Sequence, residues 1–187
     1  MKKFFSNIKS IVMILYGFIL ILLSACGVYP NKRLHGEDLL KLPDEQLFET
    51  VYLQNLDRVE SFPSEYIALS QITPAQRTVY ILSIYDMEIQ NGGLCQFFVN
   101  SSRSLAPYVI ECMETVGADA HIQLFSEFIS NNAIDLHDLD SFEIFDIEDY
   151  EAQEKRYGFE DFNDAYCELP TLQAYMIAYI KANISDF

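Results

Sequence analysis

The sequence predicts an all-α fold: a single compact multi-helix domain built around a buried central helix at about residues 74–90. Three observations predict it. Apolar residues recur at helical spacing. Residue types that start and stop helices bracket those stretches. No strand-like alternation of useful length and no internal repeat interrupts them.

Each element has its own grounds. From Pro43 the pattern is helical, with Leu47 and Val51, and Phe48 and Tyr52, four residues apart and Leu56 closing the stripe. Asp44 and Glu45 suit a helix N-terminus, where negative charge is favoured. Phe62-Pro63-Ser64 breaks this helix, and Ser64 to Ser70 suits a further short turn. Thr73-Pro74-Ala75-Gln76 starts the next helix: Thr73 caps, Pro74 fits the first position, and Gln76 completes a capping box. Val79, Ile81, Leu82, Ile84, Tyr85, Met87 and Ile89 cover most of its circumference, which marks it as the buried centre. After Gly92 and Gly93, Leu94 to Asn100 makes a short helix. Pro107 opens another that ends at Val116, since Gly117 suits the left-handed position beyond a helix. Asp119 begins a helix carrying Ile122, Leu124, Phe125, Phe128 and Ile129. Leu169-Pro170-Thr171 starts the last one, with Leu172, Tyr175, Met176, Tyr179 and Ile180 on one face.

The N-terminus reads as an export signal. Lys2, Lys3 and Lys9 precede an apolar stretch, Ile11 to Leu23, and Leu23-Ser24-Ala25-Cys26 has the order of a bacterial lipobox. The apolar stretch falls short of the roughly 20 residues that span a bilayer, which favours cleavage; an uncleaved anchor is the alternative. Residues 1–25 are then a lipoprotein signal peptide, 26–38 the lipidated Cys26 and a tether, and 39–187 the domain. The lipid on Cys26 provides the membrane affinity. The expected place is the bacterial cell envelope, with the domain outside the cytoplasm.

The formal net charge is −16 and half of the residues are hydrophobic, so the chain is acidic yet folded. Such a surface repels nucleic acid and anionic headgroups and attracts basic partners. Cys95, Cys112 and Cys167 show no metal-binding spacing and read as small buried hydrophobes, with one disulfide left open by export. His35, His121 and His137 are scattered, and no catalytic, metal or cofactor motif emerges. Asp135 to Glu143 could offer oxygens to a hard cation, although their spacing follows no known order.

Asn91-Gly92-Gly93-Leu94-Cys95-Gln96-Phe97-Phe98-Val99-Asn100, with Glu88 three residues ahead, is the most specific stretch. It resembles the motif E-x-x-N-G-G-[FL]-x-Q-[FY]-[FY]-x-N of a family of acidic bacterial DNA-mimic proteins. Tyr80 to Glu88, the loop Asn100-Ser101-Ser102, Thr115 to Ala118, Phe159 to Phe162 and Ala178 to Ile180 also look similar, so the likeness covers roughly residues 39–187. It implies an all-α fold and a non-enzymatic role in which acidic side chains imitate DNA phosphates and occupy a DNA-binding protein. The export signal departs from that pattern, because such a target is absent outside the cytoplasm. The motif also has a structural reading. Gly92 and Gly93 allow a turn, Leu94, Phe97 and Phe98 anchor the core, and Gln96 and Asn100 satisfy loop backbone groups. Glu88 would then accept the free N–H groups of the helix that follows.

The candidate partner surface is acidic: Asp138, Asp140, Glu143, Asp146, Glu148, Asp149 and Glu151, with Phe142, Phe145, Ile147 and Tyr150 interleaved. Carboxylates at helical spacing lie about 5–6 Å apart, comparable with phosphates about 3.4 Å apart along a DNA strand. The expected partner is a basic protein, for example a secreted toxin that the chain neutralises, with neither direct nucleic acid binding nor a small-molecule substrate. The alternatives are a structural envelope lipoprotein without a dedicated partner, and a hydrolase using two carboxylates on an envelope polymer.

Overall fold

Helices form where the capping and apolar patterns ask for them, and one of them organises the rest. The computed structural model describes residues 33–187; the expected signal peptide, Cys26 and most of the expected tether lie outside the described residues. Eight α-helices follow in order: α1 Asp44–Glu60, α2 Glu65–Gln71, α3 Pro74–Val99, α4 Ala106–Val116, α5 Asp119–Asn131, α6 Ile147–Arg156, α7 Phe159–Cys167 and α8 Leu172–Ala182. Short 3-10 turns lie at Gly36–Lys41, Ser101–Leu105, Asp140–Phe142 and Ile184–Asp186. The all-α reading holds, and the described residues contain no strand.

Helix α3 is the centre, and α1, α4, α6, α7 and α8 all pack against it. Its start is the expected capping box. Thr73 Oγ1 accepts from the Gln76 N–H at 3.1 Å, and Gln76 Oε1 accepts from the Thr73 N–H at 3.2 Å. Val79, Ile81, Leu82 and Tyr85 are wholly buried. The helix runs past Gln90 through Asn91 and Gly92, then breaks at Gly93 (φ 80°, ψ −179°) before a second segment ends at Val99. Gly93 alone has positive φ in the pair, in a region essentially closed to other residues. Gly92 is small for a different reason, because a Cβ there would collide with the Gln96 side chain.

Beyond the break, Leu94, Phe97 and Phe98 are wholly buried. Tyr85 meets Phe97 and Phe125 edge-on at 5.1 and 5.4 Å, and Phe98 stacks on Phe142 at 4.7 Å. Edge-to-face and offset arrangements are those that ring quadrupoles favour. Helix α4 ends as expected, with Gly117 left-handed (φ 75°).

Three details differ from the sequence reading. In α1 the buried line is Leu47, Val51, Asn55 and Val59 rather than one closed by Leu56. Asn55 can be buried because its amide donates to the Gln76 carbonyl at 3.2 Å. In α5 the buried line includes His121 with Phe125 and Phe128. The folded body begins at Leu34, ahead of residue 39, because Leu34 packs on the core, Leu39 is wholly buried and the Gly36 N–H donates to the Phe187 carbonyl.

His121 is 2% exposed, its Nδ1 has no partner, and it meets Tyr166 and Tyr175 edge-on at 5.2 and 5.7 Å. Burial lowers its pKa from the ordinary 6.5. Near it Asp86 accepts from the Tyr166 hydroxyl at 2.7 Å, and burial raises the Asp86 carboxyl despite that bond.

Two outcomes follow. Gly93→Ala forces a Cβ into the Asn163 side-chain amide and into a positive-φ conformation, so urea unfolding should show a loss of about 2–4 kcal/mol. Adding Asn163→Ala should not restore stability, because the backbone strain stays and the Leu94 N–H loses its acceptor. For His121 the unfolded chain takes up the proton first as pH falls below about 6.5, so stability drops in that window. The urea midpoint should fall between about pH 7.5 and pH 5.5, with a smaller fall in His121→Phe. The raised Asp86 carboxyl acts in the opposite direction on acidification.

Candidate functional site

The break at Gly93 turns the second segment of α3 back toward the first, and the motif side chains converge on one carboxylate. Glu88 accepts from Gln96 Nε2 at 2.6 Å, from Asn100 Nδ2 at 2.9 Å and from Ser102 Oγ at 2.7 Å. These correct two expectations. Glu88 serves side-chain donors rather than the N–H groups of the new segment, and Gln96 and Asn100 serve Glu88 rather than loop backbone. The reason is the direction of the turn, which carries residues eight and twelve positions away over the carboxylate. The N–H of Leu94 is satisfied elsewhere, by Asn163 Oδ1 at 2.9 Å. The Val99 carbonyl at the end of the segment accepts from Arg103 Nη1 at 2.9 Å. Asn91 is exposed at the break, and Phe97 is a core residue.

The same hinge seats the acidic arm. The Tyr150 hydroxyl of α6 donates to the Gly92 carbonyl at 3.4 Å, while Asn163 of α7 holds Leu94. Gln153 of α6 donates to the Ser141 carbonyl, which ties the loop carrying Asp140 to that helix. Helix α6 buries none of its residues. Its start depends on reciprocal caps: Asp146 Oδ1 accepts from the Asp149 N–H, and Asp149 Oδ2 accepts from the Phe145 N–H, both at 2.9 Å. Acids in its first turn and Lys155 and Arg156 in its last complement the helix dipole.

The proposed partner-contact acids therefore divide. Asp138, Asp140, Glu143, Glu148 and Glu151 are exposed, with Glu151 paired to Lys155 at 3.3 Å. Asp146 is exposed but caps α6, and Asp149 is half-buried and caps as well. Of the interleaved apolar residues Phe142 is buried and Tyr150 half-buried, whereas Phe145 and Ile147 are 85% and 75% exposed.

Among the described residues nothing comparable assembles around the cysteines or histidines. Cys95 and Cys112 are buried and free, and burial pushes both thiols up to about 12, so neither is a nucleophile at neutral pH. Cys167, expected to be buried, is exposed, because it falls on the outer side at the end of α7. Among the described residues no three His, Cys, Asp or Glu side chains are placed to hold a metal ion, the Asp135 to Glu143 stretch included, and Asp135 accepts from the His137 N–H instead. No described helix is long and apolar enough to cross a membrane. A groove of about 360 Å³ that the sequence reading did not single out lies between α2 and α4, flanked by Tyr66 and Tyr108. Its Glu65 is already bonded to the Tyr80 and Ser104 hydroxyls at 2.8 and 3.3 Å.

Asn163 is the site residue that sequence reasoning missed, and Ser102 was read as part of the loop after the motif without its bond to Glu88. Asn163 bonds a backbone group 69 positions away, and no local pattern signals that. The cap of α6 did carry a signal, an Asp three residues before another Asp with basic residues at the far end.

A family model described as DMP19-like protein matches residues 70–183. The match spans more than half of the chain, including the hinge and the acidic arm, and the chain belongs to that family, which is the DNA-mimic type that the motif resembles. It is not a known enzyme family. No curated protein and no solved structure matches the chain.

If Glu88 is the structural hub of the motif, Glu88→Gln should cost about 1.5–3 kcal/mol, the range for hydrogen bonds to a charged group. Glu148→Gln on the open face of α6 should stay within about 0.5 kcal/mol of wild type. Urea denaturation of both variants measures this, and equal stabilities would refute the hub.

Proposed function

We propose that this member of the DMP19-like family is a membrane-tethered acidic binding protein that occupies a basic surface on another protein. The observation that carries this reading is the exposed acidic face at Asp140, Glu143, Glu148 and Glu151, held by an arm that is bonded to the family's own hinge. Carboxylates so presented attract cations over a Debye length and steer a basic partner toward them. The family membership supports mimicry of DNA charge as the mode of contact. The lipobox ending at Cys26 supports an envelope location with the lipid as anchor. In that compartment a basic secreted protein, such as a toxin held inactive by an immunity factor, fits better than a transcription factor.

The test uses the full chain taken from the membrane fraction of its bacterium. It should retain a basic protein at about 0.05 M salt and release it at about 1 M, where the screening length is near 3 Å. Glu143→Gln with Glu148→Gln and Glu151→Gln should weaken that retention with only a small loss of stability, about 1 kcal/mol or less, since none of the three caps a helix and what is lost is an exposed dipole contact and an exposed ion pair. Cys26→Ser should shift the chain out of the membrane fraction. Recovery of no basic protein at low salt would leave the acidic face a solvated surface.

A further inference from the structure

The acidic arm carries a feature that charge mimicry does not use. Phe145 and Ile147 sit immediately before and after Asp146, the cap of α6, and are 85% and 75% exposed. An apolar residue just before a cap ordinarily packs on the fourth helical residue, here Tyr150. Tyr150 is half-buried instead, with its hydroxyl on the Gly92 carbonyl. Phe145 at 85% exposure therefore lacks that local role. Nor is it loose, because its own N–H is bonded to Asp149, and Asp149 to Asp146. Two bulky apolar side chains stand in water on a fixed turn, with exposed Glu143, Asp146 and Glu148 beside them in sequence.

We propose that Phe145 and Ile147 form the apolar anchor of the acidic face, inserting into an apolar pocket rimmed by Lys or Arg on a partner protein. An apolar centre inside a charged rim is the anatomy of protein interfaces, in which a few central side chains carry most of the affinity. Charge chooses the occupant. The surrounding carboxylates, on a chain of net charge −16, repel a second copy and anionic lipid headgroups, and they complement a basic rim. The fixed turn lowers the ordering cost of binding. This inference rests on the basic-partner reading above and adds that charge alone does not make the contact.

The full chain, held in a nanodisc of zwitterionic lipid, can be titrated with two synthetic helical peptides of equal lysine content. One has leucines along one face and the other has serines there. Wild type should bind the leucine peptide about tenfold or more tightly than the serine peptide. Phe145→Ser with Ile147→Ser, in the same nanodisc so that partition into lipid cancels, should lose that preference and keep the serine-peptide affinity. Glu143→Gln with Glu148→Gln should weaken both peptides alike. The same preference in wild type and in the Phe145→Ser, Ile147→Ser variant overturns the anchor and leaves the basic-partner reading standing. Failure of both peptides to bind at low salt overturns that reading as well. A wild type that sediments as a dimer while the serine variant is monomeric assigns the two side chains to a second copy and also overturns the anchor.

Discussion

At Gly93 the central helix changes direction, and the rest of the molecule depends on the contacts which that turn creates. A backbone at φ 80°, ψ −179° is open to glycine and closed to residues with a Cβ. Once it is adopted, Phe97 and Phe98 face the same core as Tyr85, and Gln96 and Asn100 come back over Glu88. The turn also leaves two backbone groups looking outward, the Gly92 carbonyl and the Leu94 N–H. Tyr150 and Asn163 take these two, and so dock the two helices that carry the acidic segment. Burial of apolar surface drives the folding, while the hinge decides where the acids are displayed.

The acidic composition then serves two ends within one short helix. Asp146 and Asp149 are occupied by backbone N–H groups, which α6 needs because it buries none of its residues and gains little from packing. Glu143, Glu148 and Glu151 have no capping duty. Their surplus charge is available for long-range attraction, and the exposed Phe145 and Ile147 lie between Glu143 and Glu148 in sequence, so the exposed segment is mixed rather than simply anionic. Solubility alone would require the acids and would not require two exposed apolar side chains on a fixed turn.

Much of the fold could be read before the structure. The capping box at Thr73, the left-handed Gly117 and the helix starts at Asp44 and Asp119 all act within one helical turn, so neighbouring residue types report them directly. The sequence reading assigned no helix within Ala133 to Glu168: α6 buries no residue and gives periodicity little to register, whereas α7 carries Phe159, Phe162 and Tyr166 at helical spacing, a signal that was present and was passed over. The buried positions of Asn55 and His121 were missed for a related reason. Polar residues are read as outward-facing until a partner such as the Gln76 carbonyl, or an aromatic cage such as Tyr166 and Tyr175, is known.

By itself, then, the amino-acid sequence determined the helical class, the place of the central helix, the need for a turn at Gly92-Gly93, the acidity, and the motif that identifies the family. Those properties follow from composition, from periodicity and from interactions that close within a few residues. Only the tertiary structure decided that Glu88 gathers Gln96, Asn100 and Ser102, that Asn163 reaches across 69 positions to Leu94, and that some acids cap while others stay free. The physical reason is directional. Each of those pairings depends on the angle through which the chain turns at Gly93, and a string of residue types fixes that a turn occurs without fixing where it points.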